Sequence, residues 1–258
     1  MTPFTFPVRK PLAGIPVSVT DYDEAADCLI AAAKNGRPTL ATALAVHGLM
    51  TAAQSNWFAH KLRAFDLVCP DGQPVRWGLN WMYKAGLTDR VYGPELMLRL
   101  CRAAVENHIP VFLYGSTPKV NQRLAEKLIE RFDGLNIAGR LPSRFRQAND
   151  TEDAEDRAAI RRSGARIVFV GLGCPLQEEW AYAHRDLPLA QVCVGAAFDF
   201  HAGLKPRAPP LMQRAGLEWF FRLACEPRRL WRRYLIYNTA YLRALTTQWL
   251  GARRGVST

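Results

Sequence analysis

The 258-residue chain lacks most of the patterns by which cofactor and metal chemistry announces itself. There is no CxxC pair: Cys28, Cys69, Cys101, Cys174, Cys193 and Cys225 are dispersed. That argues against a zinc ribbon or a redox dithiol and points to free thiols in a reducing cytoplasm. His47, His60, His108, His184 and His201 show no HxH or HExxH spacing, so no metal is expected. A Walker A loop is absent, which removes P-loop nucleotide hydrolysis. The GLG that follows an apolar run has Leu176 where a dinucleotide fingerprint needs glycine or alanine, so NAD is not expected either. No window reaches the about 18 uncharged apolar residues of a membrane-spanning helix. No signal-peptide core follows the basic residues of MTPFTFPVRKPL, and any membrane contact is expected to be peripheral.

The excess of positive charge is concentrated in the last quarter. From Lys205 to Thr258 eleven Lys and Arg face two acids, Glu218 and Glu226, so this stretch holds +9 of the chain's +11. Trp219, Phe220, Phe221, Trp231, Tyr234 and Trp249 are interleaved with that charge. Leu230, Tyr234, Tyr241, Leu245 and Trp249 recur at helical intervals beside Arg228, Arg229, Arg232, Arg233 and Arg243, the pattern of a basic amphipathic surface. Its expected partner is anionic and partly apolar, such as a phospholipid surface or a lipid diphosphate. The change of charge near Leu204 divides the chain into an α/β domain at 1–204 and a basic helical appendage at 205–258.

Within the first part, apolar runs alternate with helical patterns. A helix is expected from Thr20 to Asn35 with Asp21, Asp23 and Glu24 in its first turn. A strand follows in Pro38–Val46, then a helical pattern from His47 to Ala59, then the strand FDLVCP. A second cycle comprises a helix at 94–107, the strand IPVFLYG and a helix to Arg131, with Ser116 or Thr117 as cap and Pro118 at its first position. A third runs from an acidic helix at 150–163 through ARIVFVGLG and a helix from Pro175 to Asp186 into AQVCVGAAFD. Strands without polar alternation, separated by helices, predict a Rossmann-like parallel sheet covered on both faces.

In such a sheet ligands bind at the carboxyl ends of the strands. The residues there are Thr42–His47, Pro70–Gln73, Gly115–Thr117 and Gly171–Glu178. Gly115, Gly171 and Gly173 either let backbone approach a phosphate at a helix N-terminus or only turn the chain. Asp71, between Pro70 and Gly72, is either a general base or a turn aspartate. Gln177 and Glu178 open a helix, where they bind a hydroxyl or cap their own first turn. Asp21-Tyr22-Asp23 has the DxD form that holds a metal in many glycosyltransferases, yet it precedes a helix, and capping explains it better.

Several segments together resemble the WecG/TagA/CpsF family of bacterial glycosyltransferases, glycosyltransferase family 26: PDGQPVRWG, DRVYGPELM, VFLYGSTPKV, VFVGLGCPLQEEW, VGAAFDFHAGLKPRAPP and GLEWFFRLACEPRRLWRRY. The resemblance implies sugar transfer from a UDP-sugar to a polyprenyl-diphosphate-linked acceptor in cell-surface polysaccharide synthesis. It implies Asp71 as base, Thr42 and Gln177 beside the donor sugar, and Arg90 in the cleft. Gly115 and Gly171 would neighbour the nucleotide, and Arg222, Arg229 and Arg232 would hold diphosphate charge. The chain departs from the family twice: Thr42-Ala43-Leu44 stands where TxN is usual, and Gly93-Pro94-Glu95 where GxD is usual. The donor is N-acetylmannosamine-type, glucose or a uronic acid.

The expectation is therefore an inverting, metal-independent transferase, needing no cofactor beyond its UDP-sugar substrate. It would be attached to the inner face of the cytoplasmic membrane, with self-association in solution that conceals or displaces the appendage. Two alternatives are a catalytically silent scaffold recruited to the membrane and an RNA-binding protein. The second is disfavoured because no RRM, KH or helix-turn-helix signature accompanies the charge, and no nucleic-acid partner is expected.

Overall fold

A computed structural model describes residues 4–206, 208–209, 211–212 and 216–253. It opens with an antiparallel hairpin, β1 (Arg9–Leu12) and β2 (Ile15–Ser18). Ala13 and Gly14 turn the chain with φ of 49° and 79°, the left-handed pair of a tight hairpin turn. Helix α1 (Tyr22–Lys34) follows, capped by the Asp21 carboxylate, which accepts from the N–H groups of Asp23 and Glu24. Asp23 in turn pairs with Arg99. Both acids of the DxD triplet are thus engaged in holding helices, as the capping reading expects.

Six parallel strands form the main sheet: β3 (Thr39–Leu44), β4 (Leu67–Pro70), β5 (Val111–Gly115), β6 (Ile137–Leu141), β7 (Ile167–Gly171) and β8 (Ala190–Cys193), ordered β4-β3-β8-β7-β5-β6. Successive side chains point to opposite faces. Ala41, Leu67, Leu113, Phe169 and Val192 face α1, α5 (Gly93–Glu106) and α6 (Pro118–Arg131) in one apolar layer. Leu40, Val68, Phe112, Val168 and Val170 face a second layer. That layer holds α2 (Val46–Ala53), α3 (Asn56–Arg63), α4 (Gln73–Tyr83), α7 (Asp150–Arg162), α8 (Leu176–Ala183) and the hairpin. Both faces are covered, so the strands have no polar alternation. Thr117 caps α6, its hydroxyl oxygen accepting from Val120 N–H, with Pro118 at the first helical position.

The predicted helix from His47 to Ala59 is two helices. Ser55 caps α3 by accepting from Phe58 N–H, which gives a new helix start inside the run. The stretch expected as one strand over AQVCVGAAFD ends at Cys193 and continues into the short helix α9 (Ala197–His201).

Two further helices, α10 (Glu218–Cys225) and α11 (Pro227–Arg253), lie in the basic segment. Here the seam expected to meet a membrane is turned inward: Leu230, Tyr241 and Leu245 are buried, the latter two in the same layer as α2, α4 and the hairpin. Tyr241 donates to Pro74 O at 3.1 Å, and its hydroxyl would come 2.2 Å from any Cβ at position 78, so Gly78 makes room for it. Gln248 ties the far end down, accepting from Ala13 N–H at 3.0 Å and donating to Pro11 O at 2.8 Å. Trp249 stacks on Trp81, ring centroids 5.7 Å apart. The apolar residues left exposed are another set: Trp219 and Phe220 on α10, and Trp231, Leu235, Ile236 and Leu242 on α11. No helix among the described residues is long and apolar enough to cross a membrane.

Candidate functional site

Because the strands are parallel, the candidates that follow strands sit together at the carboxyl end of the sheet. Asp71 follows β4, which ends at Pro70. Its backbone N–H is held by Leu44 O, and its carboxylate receives the Gly93 N–H. Around it stand the buried side chain of Arg90, Tyr92, the first-turn acid of α10, Glu218, and Arg222 one turn later. Arg90 pairs with Glu218. Burial pushes the Asp71 carboxyl up to about 6, with the charge of Glu218 adding to the rise and Arg90, Gly93 N–H and Arg222 opposing it. A carboxylate that ionises near neutrality is suited to taking a proton, whereas a turn aspartate exposed to water stays near its ordinary value.

A second group lies beneath the ends of β3 and β8. The Thr42 hydroxyl donates to Glu178 Oε1 at 2.7 Å, and the Gln177 amide donates to the same oxygen at 2.9 Å. Gln177 Oε1 accepts from Gly195 N–H at 2.9 Å. Glu178 is fully buried, which raises its carboxyl above the usual range. Pro175, at the N-cap, makes no side-chain cap bond, and the Glu178 carboxylate reaches its own backbone N–H. Thr42 and Gln177 are therefore brought together, with the buried acid Glu178 as the bridge.

A third group marks where the chain's connections diverge. From β5 the chain passes to β6 on one side, and from β7 to β8 on the other, which is the switch point where a sheet of this kind has its ligand crevice. Gly115 and Gly171 end those strands and pair in register. A Cβ on Gly115 would meet Gly171 O at 2.6 Å, and one on Gly171 would meet the Phe198 ring at 2.7 Å. Close packing, against backbone at Gly115 and against an aromatic ring at Gly171, is enough to account for both glycines. Gly173, with φ +80°, lies in open space and its carbonyl accepts from Gln177 N–H.

Phe145 lies in the connection after β6 and had no signal in the sequence. Its φ is +54° and its side chain is 72% exposed. Such a conformation is rare for an aromatic residue and needs its neighbours to enforce it. Arg144 pairs with Asp156 and Arg146 with Glu152, while the Phe145 N–H donates to Ser143 Oγ and the Ser143 N–H to Ser116 O. The flanks are pinned and the ring is presented.

Of the appendage arginines, Arg222 joins the Asp71 cluster, its guanidinium 5.7 Å from the Phe200 ring centroid. Arg232 does not: it lies over the Trp231 ring on the exposed face of α11. The Arg229 side chain lies outside the described residues. Leu44, where the family's amide is usual, is buried in the core and offers nothing polar. Glu95 lies at the start of α5, 3.9 Å from Arg99. Among the described residues no three His, Cys, Asp or Glu side chains gather as a metal-ligand set.

The sequence matches the Glycosyl transferase WecG/TagA/CpsF family over residues 10–255, nearly the whole chain.

Proposed function

The chain belongs to the WecG/TagA/CpsF glycosyltransferase family, and from that premise we propose that it is an inverting transferase in which Asp71 is the general base. The carboxylate takes the proton of an acceptor sugar hydroxyl as that oxygen bonds to the anomeric carbon. The bond from that carbon to the diphosphate breaks with its electron pair leaving on UDP, and the configuration inverts. Arg222 and the backbone N–H groups at the strand ends meet the charge that develops. The observation that carries this reading is the placement of Asp71 in a cation-flanked pocket on the ligand edge with its carboxyl raised to about 6.

The sheet's geometry supports an elongated donor. The crevice between β7 and β5 lies three strand spacings and more from β4, roughly 14 Å at the usual spacing. A nucleoside diphosphate sugar spans that length and a free monosaccharide does not. Phe145 is the platform for its base, since an exposed, pinned aromatic ring stacks well on a nucleobase. The outer face of α10 and α11, with Arg228, Arg232 and Arg243 among exposed Trp231, Leu235 and Leu242, is the membrane-facing surface that brings the enzyme to a polyprenyl-diphosphate-linked acceptor.

The test is UDP release from UDP-N-acetylmannosamine, UDP-glucose and UDP-glucuronic acid, each with a polyprenyl-diphosphate-linked saccharide. Acceptor-dependent release with one donor is expected. No release with any donor would favour the silent scaffold, for which the buried Leu44 in place of a ligand-facing amide is the supporting observation.

A further inference from the structure

Arg90 has two carboxylates within electrostatic reach and bonds to one of them. Its Nη2 donates to Glu218 Oε2, while it acts on Asp71 through charge. Glu218 is only 6% exposed and also bonds the Tyr92 phenol, whose ring lies 4.7 Å from the Arg90 guanidinium. Burying a carboxylate is costly unless it is paired, so this acid is fitted to its partner. The chain before it is seated as closely: a Cβ on Gly216 would meet Gln73 Cγ at 2.9 Å. Docking of α10 therefore delivers Glu218 to a guanidinium that belongs to the α/β body.

We propose that Glu218 is a positioning residue: by engaging Arg90, it keeps that guanidinium from closing on Asp71 and leaves the Asp71 carboxylate open to the acceptor hydroxyl. The inference rests on Asp71 being the base. An arginine fork left without its carboxylate pairs with the next one available, and here that is Asp71. Pairing would occupy the oxygens that must take the proton and would weaken them as bases. The seated appendage thus readies the base, and a molecule whose α10 is displaced holds Asp71 in an ion pair.

The groups that face Asp71 are Tyr22 from α1, Cys69 from β4, Arg90 and Tyr92 from the segment before α5, and Glu218 and Arg222 from α10. Burial raises both phenols and the thiol, so these three stay neutral across the working range.

The experiment is carboxyl carbon NMR of the full-length chain labelled at aspartate, with the Asp71 resonance assigned by its loss in Asp71→Asn. Glu218→Gln is expected to lower the Asp71 midpoint by about one pH unit. It should lower turnover roughly tenfold above pH 7, using the donor found in the panel, with UDP affinity held within about twofold. Arg90→Gln added to Glu218→Gln should return the midpoint to its original value or above, and should raise it by more than Arg90→Gln does alone, a non-additivity that a merely structural role for Glu218 would not produce. An unmoved midpoint in the single variant, or a midpoint that stays low in the double variant, overturns the inference. Near wild-type turnover of Asp71→Asn overturns the base reading instead, so the two failures are read separately.

Discussion

At the residue scale, Asp71 carries a cost that its surroundings do not repay. The unfolded chain releases this proton near the ordinary 3.8 and the folded chain near 6. Between those values the folded state holds the extra proton, so stability falls as pH rises through the window and the full penalty applies above 6. Asp71→Asn is therefore expected to stabilise the protein by about 1–2 kcal/mol at pH 7.5. Two pH units correspond to about 3 kcal/mol, discounted because the side chain keeps some solvent contact. The gain should vanish below pH 4, and urea midpoints at both pH values check it. A loss of stability at pH 7.5 would mean that the charged form is welcomed by Arg90 and Arg222. The glycines make the opposite kind of prediction. Gly115 combines φ +123° with a backbone oxygen 2.6 Å from any Cβ, so Gly115→Ala should cost about 2–3 kcal/mol whether or not a nucleotide binds there. Thermal unfolding with and without UDP separates that cost from any loss of binding.

At the scale of elements, the docking of α11 rests on Tyr241. Tyr241→Ala empties a buried aromatic site against Gly78 and should cost about 3–5 kcal/mol. Tyr241→Phe removes only the bond to Pro74 O and should cost about 1 kcal/mol. Denaturant midpoints for the pair measure how much the helix contributes to the body. The sequence was legible where an element obeys one rule throughout. The two-faced strands, the Thr117–Pro118 helix start and the acidic opening of α1 all follow from local chemistry. It was not legible where packing decides. Ala13 is a poor signal for a hairpin turn, so nothing in the sequence announces β1 and β2. Strand β6 is only partly buried, and its Gly139 is needed because a Cβ there would meet the Phe112 ring at 2.5 Å; neither fact leaves a period-2 pattern. The helical seam Leu230–Tyr241–Leu245 was visible, but periodicity alone does not say whether such a seam meets a membrane or a domain. The seam's partners, Pro74, Gly78 and the hairpin, lie more than 150 residues away in the chain. Asp71 was a candidate from its position after a strand, whereas Glu218 and Phe145 gain meaning only from what surrounds them.

For the whole molecule, the basic segment has an inner face that completes the core and an outer face left exposed. Removing residues after Leu204 would strip Tyr241 and Leu245 from the core, so truncation tests folding as much as function. The outer face is better probed in place. Arg228, Arg232 and Arg243 changed together to Gln should weaken binding to vesicles containing phosphatidylserine, by about 1 kcal/mol per arginine at low salt and by less as salt rises. Vesicle sedimentation checks this, and unchanged binding at low salt would remove the membrane role from these arginines. The central claim is that one edge of the sheet, closed by α10, transfers a sugar with Asp71 as base. It is tested most directly by the transfer rate of full-length Asp71→Asn at pH 7.5, with UDP affinity measured on the same sample. The account predicts intact UDP binding and a rate lower by roughly 10²–10⁴-fold; a folded variant that binds UDP and transfers at near wild-type rate would contradict it.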